Sequence, residues 1–307
     1  MILAGISEVT IGNAEFVLQV LPEAGGRIYS IRHRRLAREL LWQNAGLRLQ
    51  RFPAGSGYDD HWLGGWDDVI PNDEPACVNG LDLPDHGELW SATFDVVSHR
   101  SESITMCANC PVGGLVVEKR ISLEDDRIRV RYAIENQRPV ALPYMWKSHA
   151  AVRLAPGDRI YIPAKRFQLE PASLGSLEGA ELSGAWPLVR TPDSIIDLSE
   201  VPGPEARKLV FAYALDLTCG ECGLYRPSDR TLCLWSFPMN PFRSCMLFAS
   251  YGGWRDHYVA VLEPATTWPF RLEEAIAAGT FATLAPYGRI DAEVCLQVLS
   301  GVDSPMT

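Results

Sequence analysis

Apolar and polar positions alternate along much of the chain with the two-residue period of a half-buried strand. The run Arg127-Ile128-Arg129-Val130-Arg131-Tyr132-Ala133-Ile134 places Ile128, Val130, Tyr132 and Ile134 on one face. Just upstream, Leu115, Val117, Ile121 and Leu123 keep one parity, and Glu124-Asp125-Asp126 between the runs reads as a hairpin turn. Further strands are predicted at 6–12, 15–21, 26–32, 92–98, 209–215, 231–237, 245–250, 258–262 and 292–299. The 22 prolines and 25 glycines punctuate these runs at short intervals, a pattern that fits an antiparallel sandwich better than βαβ units. One short helix is predicted at 269–278, with Thr267 as its cap, Pro269 in its first turn, Leu272, Ala275 and Ile276 as its apolar stripe and Gly279 at its end. The stretch 165–207 reads as loop-rich. No internal repeat, low-complexity tract or clean linker appears, so the pattern predicts one all-β domain over residues 1–307.

Composition narrows the function classes. Of 307 residues 47% are hydrophobic, enough for a large core. A net charge of -10 speaks against a nucleic-acid partner, which requires clustered Lys and Arg. There is neither an apolar run of about 20 residues nor a basic leader followed by an apolar core. No membrane contact is therefore expected, and the protein is expected to be soluble and cytoplasmic. The eight cysteines are expected to be reduced thiols. Cys107/Cys110 and Cys219/Cys222 have the spacing of half a zinc ribbon. On a regular strand, however, Cys107 and Cys110 would point to opposite sides, so no metal is expected.

Five stretches could carry chemistry. In Leu83-Pro84-Asp85-His86-Gly87-Glu88-Leu89-Trp90, Gly87 permits close approach of a ligand beside His86, and Asp85 or Glu88 could fix the tautomer of the imidazole. The alternative is a polar turn with a hydrogen-bonded histidine. In Gly64-Gly65-Trp66-Asp67-Asp68, an indole and two carboxylates suit sugar recognition by stacking and by accepting hydroxyl hydrogen bonds; the same residues suit an acidic loop with a half-buried tryptophan. His149, within Trp146-Lys147-Ser148-His149-Ala150-Ala151, sits in an apolar strand-like run, where a histidine is more often a satisfied core residue than a catalyst. Glu263 ends the apolar run Val259-Ala260-Val261-Leu262, where burial is costly unless it is paired; it reads either as a partly buried general base or as a rim glutamate in water. Arg27, in Gly25-Gly26-Arg27-Ile28 at a β-turn, could bind an anion or hydroxyls, or equally be an ordinary surface arginine. No G-x-S-x-G, P-loop, G-x-G-x-x-G or H-E-x-x-H motif occurs.

Taken in order, these stretches and the ending Leu284-Ala285-Pro286-Tyr287-Gly288 resemble a divergent branch of the aldose 1-epimerase (galactose mutarotase-like) family, over nearly the whole chain. The resemblance implies a large antiparallel β-sandwich and an isomerase that interconverts the α and β anomers of an aldose or aldose derivative. It implies Glu263 as the base that takes the anomeric hydroxyl proton and His149 as the acid that protonates the ring oxygen. His86 is implied as a second histidine near the ring oxygen and C1, with Arg27, Trp66, Asp67 and Asp85 as sugar-binding positions. No metal or organic cofactor is implied, and the expected partner is a small sugar bound by a monomer or homodimer. Two alternatives remain. An epimerase for an anionic, phosphorylated hexose would need cleft cations, with Arg27, Lys147, Arg243 and Arg255 as candidates. A non-catalytic carbohydrate-binding protein would need none of the proton-transfer geometry.

Overall fold

The computed structural model describes residues 6–173 and 175–305. The chain divides into two compact units, Met1–Ala150 with Thr266–Cys295, and Ala151–Ala265 with Leu296–Thr307. The predicted strands form, with ends displaced by a few residues, and they pair antiparallel.

In the first unit, Val9–Gly12, Phe16–Leu21, Arg27–His33, Trp66–Val69 and Lys147–Arg153 are successive neighbours in one sheet. A second sheet runs Asp95–Arg100, Ser103–Cys110, Leu115–Glu124, Arg127–Asn136, with Arg289–Ser300 next. Glu124 pairs with Arg127, so Asp125 and Asp126 make a two-residue turn, and Asp125 takes the left-handed φ (54°) that such turns demand. Apolar residues of both sheets meet in between, among them Trp66, Trp146, Val117, Ile121 and Val130, all fully buried. One cation breaks this apolar layer: Lys119 occupies the inward parity of its strand and reaches Asp68 of the facing sheet at 2.7 Å. Tyr132 meets Trp146 edge-on beside this pair, ring centres 5.0 Å apart.

In the second unit, Ser183–Ala185, Arg166–Leu169, Lys208–Leu215, Ser244–Tyr251 and Tyr258–Ala265 are successive antiparallel neighbours. Arg159–Tyr161, Glu221–Arg226 and Thr231–Ser236 form the other layer. The stretch read as loop therefore holds short strands, including the hairpin of Leu188–Arg190 with Ile195–Asp197, each too brief to show a period. The predicted helix is Leu272–Ala278, three residues shorter at its start. Thr267 does not cap it; its hydroxyl donates to the Thr280 carbonyl, and Arg271 holds the cap position. Gly279 ends it with φ 70°, as predicted.

All eight cysteines are free thiols. Cys110 is buried, whereas Cys107 lies opposite the exposed Glu118 on the other face of the same strand. Among the described residues no helix is long and apolar enough to cross a membrane.

Candidate functional site

The candidate site in the first unit grows from one strand register. Trp66–Val69 pairs with Lys147–Ala150 so that Asp67 lies opposite His149 and Val69 opposite Lys147. Directly opposed residues share a face, so Asp67, His149 and Lys147 project together while Trp66, Asp68 and Ser148 turn the other way. Asp67 accepts from His149 Nδ1 at 2.9 Å and from the Tyr58 hydroxyl at 2.9 Å, and it pairs with Arg27 Nη2 at 2.7 Å. Tyr58 Oη also lies 3.2 Å from His149 Nδ1. Arg27 is itself anchored by donating to the carbonyl of Gly64. That carbonyl is brought close by the Gly64-Gly65 turn (φ 78° and 81°), where a Cβ on Gly64 would sit 2.3 Å from the Trp42 carbonyl oxygen.

Asp67 is fully buried. Burial alone would raise its pKa, but the Arg27 guanidinium and His149 outweigh it and hold the carboxyl at about 2. A carboxylate fixed in its charged form keeps the proton of His149 on Nδ1. Nε2 is left as the nitrogen that can exchange a proton with a ligand. Trp62 closes one side of the ring, edge to face, with centroids 5.9 Å apart.

The loop carrying His86 docks beside this pair. Gly87 takes φ 68°, and a Cβ there would lie 2.0 Å from the Ile70 carbonyl oxygen, so only glycine fits. His86 also has left-handed φ (56°), and its ring nitrogens are both engaged: Nδ1 with Asp85 at 2.7 Å and Nε2 with Asp73 at 3.0 Å. Burial would lower the pKa of His86, but Asp73 and Asp85 raise it above the ordinary histidine value. Asp73, which also holds Lys147, is lowered against its own burial by Lys147 and His86. Asp85 is likewise lowered despite burial, by its hydrogen bond to His86, and accepts the Tyr58 N–H at 2.7 Å. Tyr58 stacks on His86, centroids 4.0 Å apart and nearly parallel at 8°, which ties the two histidine neighbourhoods together.

Several expectations are refined by this geometry. Asp85, not Glu88, orients His86; Glu88 accepts the backbone N–H groups of Val112 and Gly113 instead. Trp66 offers no face to a sugar, since its indole is fully buried and its N–H donates to Ser148. Arg27 and Asp67 are committed to each other and to His149, so they act as supports beneath the histidine. His86, with both nitrogens taken, is a charged strut. Glu263 lies in the second unit, 1% exposed on Tyr258–Ala265 and opposite Met246. Tyr58 and Asp73 join the cluster without having been singled out in the sequence. Among the described residues no group of three His, Cys, Asp or Glu is arranged to hold a metal.

Neither a protein-family model nor a curated protein sequence matches the chain. Solved structures do. Slr1438 protein from Synechocystis sp. PCC 6803 superposes with a TM-score of 0.71 at 14% identity, covering 98% of both chains. The fold is that of the galactose mutarotase-like proteins. A galactose mutarotase-like protein from Lactobacillus casei ATCC 334 gives a TM-score of 0.62 at 14% identity, covering 95% of this chain and 100% of its own. A galactose mutarotase related enzyme from Lactobacillus acidophilus gives 0.60 at 16% identity over 97% and 99%. At such low identity the likeness is one of fold, an all-β antiparallel sandwich as the sequence resemblance implied.

Proposed function

We propose that the protein is an isomerase of the aldose 1-epimerase type that interconverts the anomers of a neutral aldose or aldose derivative. The observation that carries this reading is the buried Asp67–His149 pair, locked by strand register and braced by Arg27 and Tyr58. Such a pair serves a proton donor whose Nε2 faces the ligand. His149 gives an Nε2 proton to the ring oxygen. A base takes the proton of the anomeric hydroxyl, a role the sequence resemblance gives to Glu263. The C1–O5 bond breaks to leave the aldehyde, the C1–C2 bond rotates, and the ring closes on the other face with the two proton transfers reversed.

A neutral sugar is favoured over a phosphorylated one by the state of two candidate cations. Arg27 is 1% exposed with its arms on Asp67 and Gly64, and Lys147 is 3% exposed against Asp73. The test is polarimetry on freshly dissolved neutral aldoses, uronic acids and sugar phosphates, with and without the protein. Faster approach to anomeric equilibrium for a neutral aldose is expected. No acceleration of any sugar, with binding still detectable, would replace this reading by a non-catalytic carbohydrate-binding one.

A further inference from the structure

The second unit holds a cavity of about 390 Å³, a volume in the range of small-molecule sites. Part of its lining is one face of a sheet. Lys208 and Tyr251 are register partners across the antiparallel strands Lys208–Leu215 and Ser244–Tyr251, so their side chains emerge next to each other on one face. Val210, two positions along, shares that face, and all three residues line the cavity. Aliphatic side chains of the 195–201 segment, Ile195, Leu198 and Val201, supply further wall. Ile195 is 57% exposed, a large aliphatic residue held at the surface of its short strand.

The polar groups divide sharply into committed and uncommitted. Arg159 donates to Asp197 at 3.0 Å and to Ser199 at 3.2 Å, and pairs with Glu200 at 3.0 Å. Asp158 is held by Arg226 at 2.6 Å. Each lining carboxylate therefore already has a cation. Among the described residues, the Lys208 ammonium has no ion pair or hydrogen bond, and the Tyr251 hydroxyl has no hydrogen bond. Tyr251 is only 3% exposed. Its burial, reinforced by Tyr258, pushes the phenol above its ordinary range, so the hydroxyl is a neutral donor at any physiological pH. Tyr251 Oη is not sealed from solvent, so its uncommitted donor is available to a ligand in the cavity that Tyr251 lines.

An ammonium beside a hydroxyl donor matches the two oxygens of one carboxylate. A phosphate dianion would find a single available cation and three carboxylates near it. Aliphatic walls ask for an apolar body. We propose that this cavity is a binding site for a small organic carboxylate with an apolar body, with Lys208 and Tyr251 gripping the carboxylate and the 195–201 segment covering the rest. The site is independent of the chemistry assigned to His149.

Calorimetry and saturation-transfer difference NMR with 2-naphthoate test this, with 2-naphthamide and 2-naphthyl phosphate as controls. The carboxylate should bind about tenfold more tightly than the amide, the expected worth of one charge-assisted hydrogen bond, and more tightly than the phosphate. Lys208→Gln should erase that preference, Tyr251→Phe should weaken 2-naphthoate severalfold, and Ile195→Ala, at an exposed position, should weaken all three probes. None should change anomerisation. Failure of 2-naphthoate to bind, equal binding of the amide or phosphate, or unchanged affinity in Lys208→Gln would each overturn the proposal. The Lys208 and Ile195 variants alter half-buried or exposed side chains, so they decide the matter even if Tyr251→Phe misfolds.

Discussion

Replacing Asp67 by asparagine separates structural from chemical support at the candidate site. Asparagine keeps the shape and deletes the charge. Arg27, 1% exposed, then loses its counter-ion while its Gly64 carbonyl contact remains. Removing one partner of a buried pair costs about 3–5 kcal/mol, because the remaining charge stays desolvated. That is a large share of the roughly 5–15 kcal/mol that holds a typical protein folded, so Asp67→Asn should fold but with a clearly lowered urea midpoint. Arg27→Met should be similarly damaging. The double variant has no unpaired charge and should be more stable than the sum of the single losses predicts, by about 1–3 kcal/mol. Activity should behave differently. Either amide orientation leaves His149 without a carboxylate, and one of them donates to Nδ1 and enforces the other tautomer. Anomerisation by both asparagine proteins should therefore fall by about 100-fold or more, with no recovery in the double variant. Urea unfolding followed by tryptophan fluorescence, alongside saturation-transfer NMR of anomer exchange, reads both quantities. An Asp67→Asn protein as stable and active as the parent, or a double variant no better than additive, would refute the reasoning.

Three further outcomes follow from the same geometry. Tyr58→Phe removes the hydroxyl between Asp67 and His149 while leaving the ring on His86; it should cost about 1 kcal/mol of stability and lower kcat severalfold with little change in KM. Stability should decline at both ends of the pH range. Asp67, at about 2 against an ordinary 3.8, contributes about 2 kcal/mol that is present above pH 4 and lost as pH falls towards 2. His86, raised above 6.5 by Asp73 and Asp85 against its own burial, contributes stability that is full below pH 6.5 and fades as pH rises through its folded value. A urea midpoint that rises between pH 6 and 9 would contradict the His86 part. Glu263→Gln should abolish anomerisation while sugar binding survives, and retained turnover would remove the base assignment.

Much of the fold was legible because one face of many strands is apolar and the other polar. The 115–134 hairpin is the clearest case: its apolar parity was readable and its turn falls within the predicted Glu124-Asp125-Asp126, although Glu124 itself belongs to the strand. The same stripe carried a signal left unread: Lys119 stands at an inward position, which demands a buried partner, and Asp68 supplies it from 51 positions away. The site was legible in part. His149, His86, Asp67, Asp85 and Arg27 lie in one cluster, yet their roles depend on strand register and loop docking that no local spacing encodes. Trp66–Val69 is buried on both faces and has no alternation, so nothing in the sequence told which way the Trp66 indole turns. Tyr58 enters from a one-turn helix, Tyr58–His61, whose neighbours in sequence give no hint of its contacts. The short strands between 165 and 207 were hidden because three or four residues between prolines show no period.

The most direct test of the central claim is the rate of anomer exchange in His149→Ala beside the parent protein, measured by saturation-transfer NMR on the sugar that polarimetry selects. A fall of about 100- to 10,000-fold is expected, with the sugar still bound. Exchange within a fewfold of the parent would show that another group delivers the proton to the ring oxygen, and that the Asp67–His149 pair is a structural feature of the sheet.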